Sequence, residues 1–145
     1  MVLKIESLKE LKNFSKKFLK ELNPVKTGAT ILALQGNLGS GKTAFVKVLG
    51  KNLGIKKTII SPTFIIMKLY DISYKNFKKL IHVDAYRLEK EKELEVLGWQ
   101  EILKNPENLI AIEWPENVSK VIPQSAKKLK FKFVDEKTRS VKSEI

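Results

Sequence analysis

The chain has 145 residues and is strongly basic, with 28 lysines and arginines against 16 acidic residues and a formal net charge of +12. It contains no cysteine and a single histidine, His82, which excludes disulfides, thiolate metal sites and all-histidine zinc sites. Hydrophobic residues make up 43% of the chain, enough for a real core, and we expect a single domain over residues 1–145.

No apolar stretch of the sequence approaches the roughly eighteen residues that a membrane span needs. The first residues, MVLKIESLKE, are charged from position 4 and lack the apolar region and the cleavage site of a signal peptide. We therefore expect a cytoplasmic protein without a membrane partner.

The positive charge alone does not identify a nucleic-acid partner. All but two of the basic residues are lysines, and they are spread along the whole chain. Arginine's planar guanidinium is favoured for reading bases and phosphates, and only Arg87 and Arg139 offer it. Because no aromatic residues are interleaved with the lysines for base stacking, we favour solvated lysine-rich faces over a dedicated nucleic-acid groove.

The first half of the chain alternates helical and strand patterns. Ser7 is a candidate N-cap for a helix whose apolar residues recur every three or four positions, at Leu8, Leu11, Phe14, Phe18 and Leu22. A short buried strand, Ala29–Gln35, is followed by a glycine-rich turn and a helix over Lys42–Leu53. The next predicted element is an antiparallel hairpin of Phe64–Ile72 and Phe77–Tyr86.

The second half contains a charged helix and two further strands. The helix is predicted from Glu89 to about Leu103, and the strand Leu109–Trp114 ends in acid before Pro115, which starts a short helix. The last strand alternates apolar residues with lysines, at Leu129, Phe131 and Phe133. The chain after it pairs back as a hairpin or frays. This order predicts an α/β three-layer sandwich with a mainly parallel central sheet and antiparallel edge strands.

Residues 36–43, GNLGSGKT, match the phosphate-loop pattern G-x-x-x-x-G-K-[ST] between a predicted strand and a predicted helix. Gly39 and Gly41 let the backbone wrap a β-phosphate, and the helix N-terminus supplies aligned N–H groups. Lys42, with a solvent-facing ammonium, would bridge the β- and γ-phosphates, and Thr43 would bind Mg²⁺. The motif predicts an ATP and Mg²⁺ site, and makes the expected sandwich P-loop NTPase-like.

Two predicted strands end in acid, LIHVDAY at Asp84 and LIAIEW at Glu113. The carboxyl ends of parallel strands form the sheet edge where open α/β folds bind ligands. Magnesium on a nucleotide takes a carboxylate directly or through water. Either acid alone is equally well explained as a solvated strand end, but two of them beside a phosphate loop favour function. We predict that Glu113 holds the magnesium.

Four motifs in this order, GNLGSGKT, SPTF, HVDAYRL and EWPE, resemble those of the TsaE (YjeE) family. The likeness runs from the first helix to about Val121. It implies a small P-loop ATPase needed for threonylcarbamoyladenosine in bacterial tRNAs that read codons starting with A. It also implies a partner, the TsaD–TsaB heterodimer, in which TsaD transfers the threonylcarbamoyl group from an adenylate made by a separate enzyme. A contact with tRNA would be indirect.

The resemblance implies roles for residues at the matching positions. Thr43 and Glu113 resemble the family's magnesium ligands, Asp84 resembles its essential strand-end acid, and Lys42 with the amides of residues 39–44 resembles its phosphate cradle. We therefore predict Asp84, Glu113 and Lys42 as catalytic residues. The predicted nucleotide-binding residues are Gly36, Leu38, Gly39, Ser40, Gly41, Lys42, Thr43 and Ala44. Asn37 stands where the family usually has aspartate, which removes a charge beside the phosphates.

Five further residues are weaker candidates. Thr63 falls where switch I lies in related GTPases, and we favour a γ-phosphate sensor there over a plain turn. Trp114 either stacks near the nucleotide or closes the sheet edge, and Trp99 is a core residue or a partner contact. For His82 we favour a packed, neutral side chain over a catalytic base. Arg87, expected to be the only arginine near the site, contacts phosphate, tRNA or a partner, or forms an ion pair.

The competing enzyme class is a small-molecule P-loop kinase. Such enzymes usually close an arginine-bearing lid over the transferred group, and this chain has one arginine in the expected nucleotide region and no inserted lid segment. A pure RNA-binding module is disfavoured because the paired acids would repel nucleic acid. We therefore predict a Mg²⁺-dependent ATP hydrolase that is weak alone and stimulated by its partner complex, with the kinase as the alternative.

Overall fold

A seven-stranded mixed sheet runs through the protein, whose computed structural model describes residues 2–60, 62 and 65–143. The strands are β1 Val2–Ile5, β2 Thr30–Gln35, β3 Met67–Tyr74, β4 Phe77–Asp84, β5 Asn108–Glu113, β6 Lys127–Asp135 and β7 Thr138–Ser143. Their order across the sheet is β1–β7–β6–β2–β5–β4–β3. The strand with the phosphate loop at its end, β2, therefore lies at the centre.

The centre of the sheet is parallel and its two sides are antiparallel. β2 pairs in parallel with β5 and β6, and β5 pairs in parallel with β4. β3 is antiparallel to β4, and β7 is antiparallel to β6 and β1. β2 and β5 are buried along nearly their whole length, as apolar strands covered on both faces are. The predicted parallel centre with antiparallel edges is confirmed.

Helices cover both faces of the sheet centre, which gives three layers. The helices are α1 Leu8–Glu21, α2 Lys42–Asn52, α3 Glu91–Glu95, α4 Trp99–Lys104 and a 3₁₀ helix, Pro115–Val121. Leu32 and Leu34 of β2 pack in the core shared with α1 and α2. Ile31 and Ala33, on the opposite face, pack with α3, α4 and the 3₁₀ helix. None of the helices in the described part of the chain is long and apolar enough to cross a membrane.

Local capping agrees with several sequence predictions. Ser7 caps α1, and its hydroxyl accepts a hydrogen bond from the Glu10 N–H at 3.1 Å. The helix predicted from Lys42 begins there, and Pro115 occupies the first turn of the 3₁₀ helix. The chain end pairs back as the β6–β7 hairpin and does not fray before Ser143.

Other element predictions need correction. The charged helix expected from Glu89 to Leu103 is two short helices, because Gly98 between them has a left-handed φ of 85° that interrupts the helical path. The first strand of the predicted hairpin begins at Met67, and Phe64 lies outside the described residues. The sequence analysis also missed β1, an edge strand that pairs with β7.

Candidate active site

The glycine-rich loop leaves β2 and turns directly into α2. Gly36 has a φ of 146° and Gly41 a φ of 108°, values that residues with a Cβ rarely adopt. At Gly36 a Cβ would also collide with the backbone carbonyl oxygen of Phe131 on β6. The loop therefore needs glycine for its backbone path across the end of the sheet.

The N-terminus of α2 has no side-chain cap. Gly41 is the N-cap residue and offers no oxygen to the first N–H groups, whereas Ser7 fills that role for α1. The neighbouring Ser40 hydroxyl is buried and has no hydrogen-bond partner among the described residues. Uncapped N–H groups at the positive end of a helix, beside an unpaired hydroxyl, suit an anion such as phosphate.

Lys42 is buried, which corrects the expectation of a solvent-facing ammonium. Only 4% of the residue is exposed. Its Nζ donates to the Gly36 carbonyl oxygen at 2.5 Å and lies 3.6 Å from the centre of the Trp114 ring. Burial lowers the pKa of the ammonium, and nearby carboxylates, Glu113 first among them, oppose that shift. Because Lys42 lines the cleft, its ammonium could leave the Gly36 carbonyl and bind a phosphate oxygen in the cleft.

Asp84 and Glu113 end adjacent parallel strands and are direct register partners. Both are buried, with 4% and 3% of the residue exposed. Thr43, in the first turn of α2, donates its hydroxyl hydrogen to Glu113, with Oγ1 at 3.0 Å from Oε1 and 3.1 Å from Oε2. Asp84 accepts a hydrogen bond from the Tyr86 N–H at 3.0 Å. The sheet edge thus gathers two carboxylates and a hydroxyl below the phosphate loop.

These oxygens fit magnesium bound together with a nucleotide. Thr43 and Glu113 present a hydroxyl and a carboxylate in contact, and Mg²⁺ usually takes one or two protein carboxylates together with phosphate oxygens and waters. Within the described residues, no group of three His, Cys, Asp or Glu side chains could hold a metal. The remaining ligands of a magnesium ion here would therefore come from phosphate and water.

A cleft of about 650 Å³ opens over this edge, a volume typical of small-molecule sites. The three predicted catalytic residues line it, as do seven of the eight predicted nucleotide-binding residues: Leu38, Gly39, Ser40, Gly41, Lys42, Thr43 and Ala44. Gly36 lies outside the lining and contacts it through the Lys42 ammonium. The fold therefore brings the predicted site residues together.

The sequence analysis did not predict that the C-terminal hairpin forms part of the cleft. Residues 5–8, at the end of β1, line the cleft together with Lys137 and Arg139 of the last hairpin. These residues reach the site because β1 pairs with β7 and β7 with β6. The hairpin of β6 and β7 was one of the predicted alternatives for the chain end, but no local motif marks the pairing of β1 with β7.

Arg139 corrects the expectation that Arg87 is the only arginine near the phosphate loop. Its Nε donates to the Gly39 carbonyl oxygen at 2.9 Å. Its Nη1 donates to the carbonyl oxygens of Asp135 and Thr138, at 2.6 and 3.1 Å. Arg139 therefore ties the phosphate loop to the C-terminal hairpin, whereas Arg87 is exposed beyond the end of β4.

The two tryptophans have different positions. Trp114 lines the cleft with a left-handed φ of 58°, and its ring lies 5.1 Å from the ring of Tyr86. Trp114 thus lies at the cleft and also packs against the core of the sheet, and its stacking on a nucleotide stays a prediction. Trp99 is a core residue, fully buried, and its Nε1 donates to the Val121 carbonyl oxygen at 2.9 Å.

His82 is buried inside the sheet, as expected, but it is not merely packed. Its Nε2 lies 2.7 Å from Glu113 Oε2, so the imidazole contacts the candidate magnesium ligand from β4.

Asn37 is exposed in the phosphate loop, and its backbone carbonyl oxygen accepts a hydrogen bond from the Ser40 N–H at 3.1 Å. The γ-phosphate sensor predicted at Thr63 lies outside the described residues.

Known proteins are similar to this chain over most of its length. The family model described as "Threonylcarbamoyl adenosine biosynthesis protein TsaE" matches residues 5–142. The chain is 42% identical over 124 residues to the tRNA threonylcarbamoyladenosine biosynthesis protein TsaE of Borreliella burgdorferi, covering 86% of this chain and 85% of that protein. It is 37% identical over 143 residues to the protein of the same name from Rickettsia typhi, covering 97% and 93%.

A solved structure is similar as well. The crystal structure of Bacillus subtilis YdiB matches with a TM-score of 0.77 and 24% sequence identity, covering 99% of this chain and 83% of that one. This likeness concerns the fold, and it confirms the predicted P-loop NTPase-like sandwich. With its phosphate loop at the centre of the sheet and its family model matched almost from end to end, the chain belongs to the TsaE family.

Proposed function

We propose that the chain is a Mg²⁺-dependent ATP hydrolase of tRNA threonylcarbamoyladenosine biosynthesis that acts on the TsaD–TsaB heterodimer. The observation that carries this proposal is the contact of the Thr43 hydroxyl with the Glu113 carboxylate at 3.0 Å, in the same cleft as the buried Lys42 ammonium. The pathway, threonylcarbamoyladenosine biosynthesis, is inferred from the names of the similar proteins. Residues 1–145 act as one domain, since a single sheet takes its strands from Val2 through Ser143.

Each side chain has a defined role in this proposal. Lys42 and the N–H groups of residues 39–44 bind the β- and γ-phosphates, and Thr43 with Glu113 holds the magnesium. When bound, Mg²⁺ neutralises charge that develops on the phosphate oxygens. Asp84, next to Glu113 in register, orients either the attacking water or the outer shell of the metal. The buried floor of the cleft strengthens these charge interactions by excluding water.

The chain is expected to hydrolyse ATP slowly on its own. P-loop enzymes often need an arginine to stabilise charge on the transferred group, and such a residue contributes about 10³ to 10⁵ in rate. Arg139 is close to the phosphate loop, but its Nε and Nη1 already donate to backbone carbonyls. Docking on TsaD–TsaB would supply the missing cation or order the SPTF segment around the γ-phosphate.

The test is ATP turnover by the isolated chain, then with TsaD and TsaB, and finally with tRNA. We expect a rate near or below about 10⁻² s⁻¹ for the isolated chain and an increase when the heterodimer is added. A Lys42→Ala chain, carried through the same steps, should stay inactive and so excludes a contaminating ATPase. Fast turnover by the isolated chain that the heterodimer leaves unchanged would contradict the proposal and favour the small-molecule kinase.

A further inference from the structure

His82 is a buried polar side chain that contacts the candidate metal site. The roles proposed above do not include it. It is 0% exposed and precedes Asp84 by two residues on β4, so both side chains point to the sheet face covered by α2. Leu80, on the same face, packs in the core that α2 shares. The register partner of His82 on β5 is Ala111, whose small methyl group leaves space for the imidazole to reach Glu113.

One nitrogen of this ring has a polar partner and the other has none among the described residues. Nε2 lies 2.7 Å from Glu113 Oε2. Carboxylate oxygens are acceptors, so we assign the hydrogen of this contact to Nε2. Nδ1 is buried without a partner in the described part of the chain, an unfavourable arrangement that leucine would avoid. The bond to Glu113 is therefore what a histidine contributes here and an apolar residue does not.

The Glu113 carboxylate is held from two elements at once. His82 contacts Oε2 from inside the sheet, and Thr43 contacts the carboxylate from the first turn of α2. A glutamate has several rotatable bonds, and a fixed donor at Oε2 restricts the direction in which Oε1 points. Donors behind metal-binding carboxylates orient the ligand, and their loss typically costs 10- to 100-fold in metal affinity.

We infer that His82 is a positioning residue for magnesium, which fixes the Glu113 carboxylate so that its other oxygen, Oε1, and the Thr43 hydroxyl face the cation together. The inference rests on the proposed function, because it takes Glu113 as a magnesium ligand. His82 does not act as a catalytic base, since it is fully buried behind Glu113 and is not itself one of the residues that line the cleft.

The experiment measures how much Mg²⁺ is needed for tight binding of a fluorescent, non-hydrolysable ATP analogue. His82→Leu removes the donor and keeps an apolar side chain. We expect the Mg²⁺ concentration at half-saturation to rise by about 10- to 100-fold, with the affinity in EDTA within about threefold of the unmodified chain. An unchanged Mg²⁺ requirement in a folded His82→Leu chain would overturn the inference.

Two further variants decide the question if His82→Leu does not fold. Glutamine places its amide nitrogen as many bonds from Cα as the Nε2 of histidine, whereas asparagine is one bond shorter. His82→Gln should retain most of the Mg²⁺ affinity and His82→Asn should lose it. Equal Mg²⁺ requirements in these two chains would also overturn the inference. Ile81→Val, on the opposite face of the same strand, is the matched control and should leave the requirement unchanged.

Glu113→Gln separates failure of this inference from failure of the proposed site. If Glu113→Gln raises the Mg²⁺ requirement and His82→Leu does not, only the positioning role is lost. If Glu113→Gln changes nothing, Glu113 is not the ligand, and both the proposed site and the inference are overturned. The double variant should need no more Mg²⁺ than Glu113→Gln alone, because the two side chains act as one unit.

Discussion

The two edges of the parallel centre of the sheet use polar residues in different ways. At the amino edge, Lys75 donates to the last carbonyl oxygens of α1, at 3.0 Å from that of Leu19 and 2.9 Å from that of Lys20. The buried Asn108 at the start of β5 donates to the Ile102 carbonyl oxygen at 2.9 Å. Each of these side chains completes the backbone hydrogen bonding of a helix end, which is a structural role.

At the carboxyl edge, by contrast, polar side chains contact one another beside an open cleft. Glu113 accepts a hydrogen bond from Thr43 and contacts His82. Lys42 is buried near carboxylates, and burial lowers the pKa of its ammonium. Burial of several charges close together disfavours the charged forms unless a ligand or a counter-charge compensates. The comparison teaches that side chains bonded to the carbonyls of a helix end have a structural role, whereas buried charged groups that lie close together at an open cleft favour a ligand site.

The largest effect should come from the carboxylate pair. Glu113→Gln should still bind nucleotide but lose about 10²- to 10³-fold of the Mg²⁺-dependent turnover, because an amide is a poorer ligand for a hard cation. Asp84→Asn should also disable turnover, by misplacing the water or the outer metal shell. Steady-state hydrolysis with TsaD–TsaB measures both variants. If Glu113→Gln hydrolyses ATP at the unmodified rate, the ligand lies elsewhere and Asp84 becomes the first candidate.

Lys42→Ala should abolish tight ATP binding while the chain stays folded. Loss of a charged hydrogen bond to phosphate is worth about 2 to 3 kcal/mol, which is about 30- to 150-fold in affinity. Isothermal titration with ATP and a thermal melt measure both properties. Lys75→Ala is the matched control at the amino edge and should keep full affinity. Unchanged ATP affinity in a folded Lys42→Ala chain would remove the phosphate-loop assignment.

At the amino edge we expect a mutation to lower stability and to leave nucleotide affinity unchanged. Asn108→Ala leaves the Ile102 carbonyl oxygen without its side-chain donor and should lower the free energy of unfolding by about 1 to 3 kcal/mol. Urea denaturation measures that loss. Nucleotide affinity should stay the same, since Asn108 is at the far end of β5 from the cleft. A weakened affinity without a change of stability would break the distinction between the two edges.

The smallest effect concerns the pH dependence of stability. Burial lowers the pKa of Lys42 from its ordinary value of 10.5, so the folded chain releases this proton before the unfolded chain does. Between the two pKa values the unfolded state binds more protons, and stability therefore rises with pH. Lys42→Met should be more stable than the unmodified chain at neutral pH, and this advantage should shrink as the pH approaches 10.5. A pH-independent difference in urea denaturation would show that the ammonium is not disfavoured by burial.

Local patterns predicted which residues meet at the carboxyl edge of the sheet. The phosphate loop is one contiguous segment, and Asp84 and Glu113 each end an apolar run, so their meeting at one edge follows from parallel pairing. The chain also places Ser7 as a helix cap and Pro115 at a helix start because such signals act within a few residues.

Contacts between distant segments were beyond the sequence. Arg139 reaches Gly39 across 100 positions, because β6 pairs in parallel with β2, a long-range pairing that no motif marks. The contact of His82 with Glu113 needs the β4–β5 register and the small neighbour Ala111, which a pattern of alternation does not give. Lys42 was expected to face solvent because the motif specifies a charge at that position and says nothing about the Trp114 ring that covers it.

A crystal structure with Mn²⁺ and a non-hydrolysable ATP analogue tests the central claim most directly, because the anomalous signal of Mn²⁺ locates the metal. The account predicts the metal next to the phosphates, within about 2.0 to 2.3 Å of the Thr43 hydroxyl oxygen and of one Glu113 carboxylate oxygen, with the Lys42 ammonium moved from the Gly36 carbonyl to a phosphate. A metal held by Asp84 with Glu113 still bonded to Thr43, or a nucleotide bound outside the cleft, would contradict it.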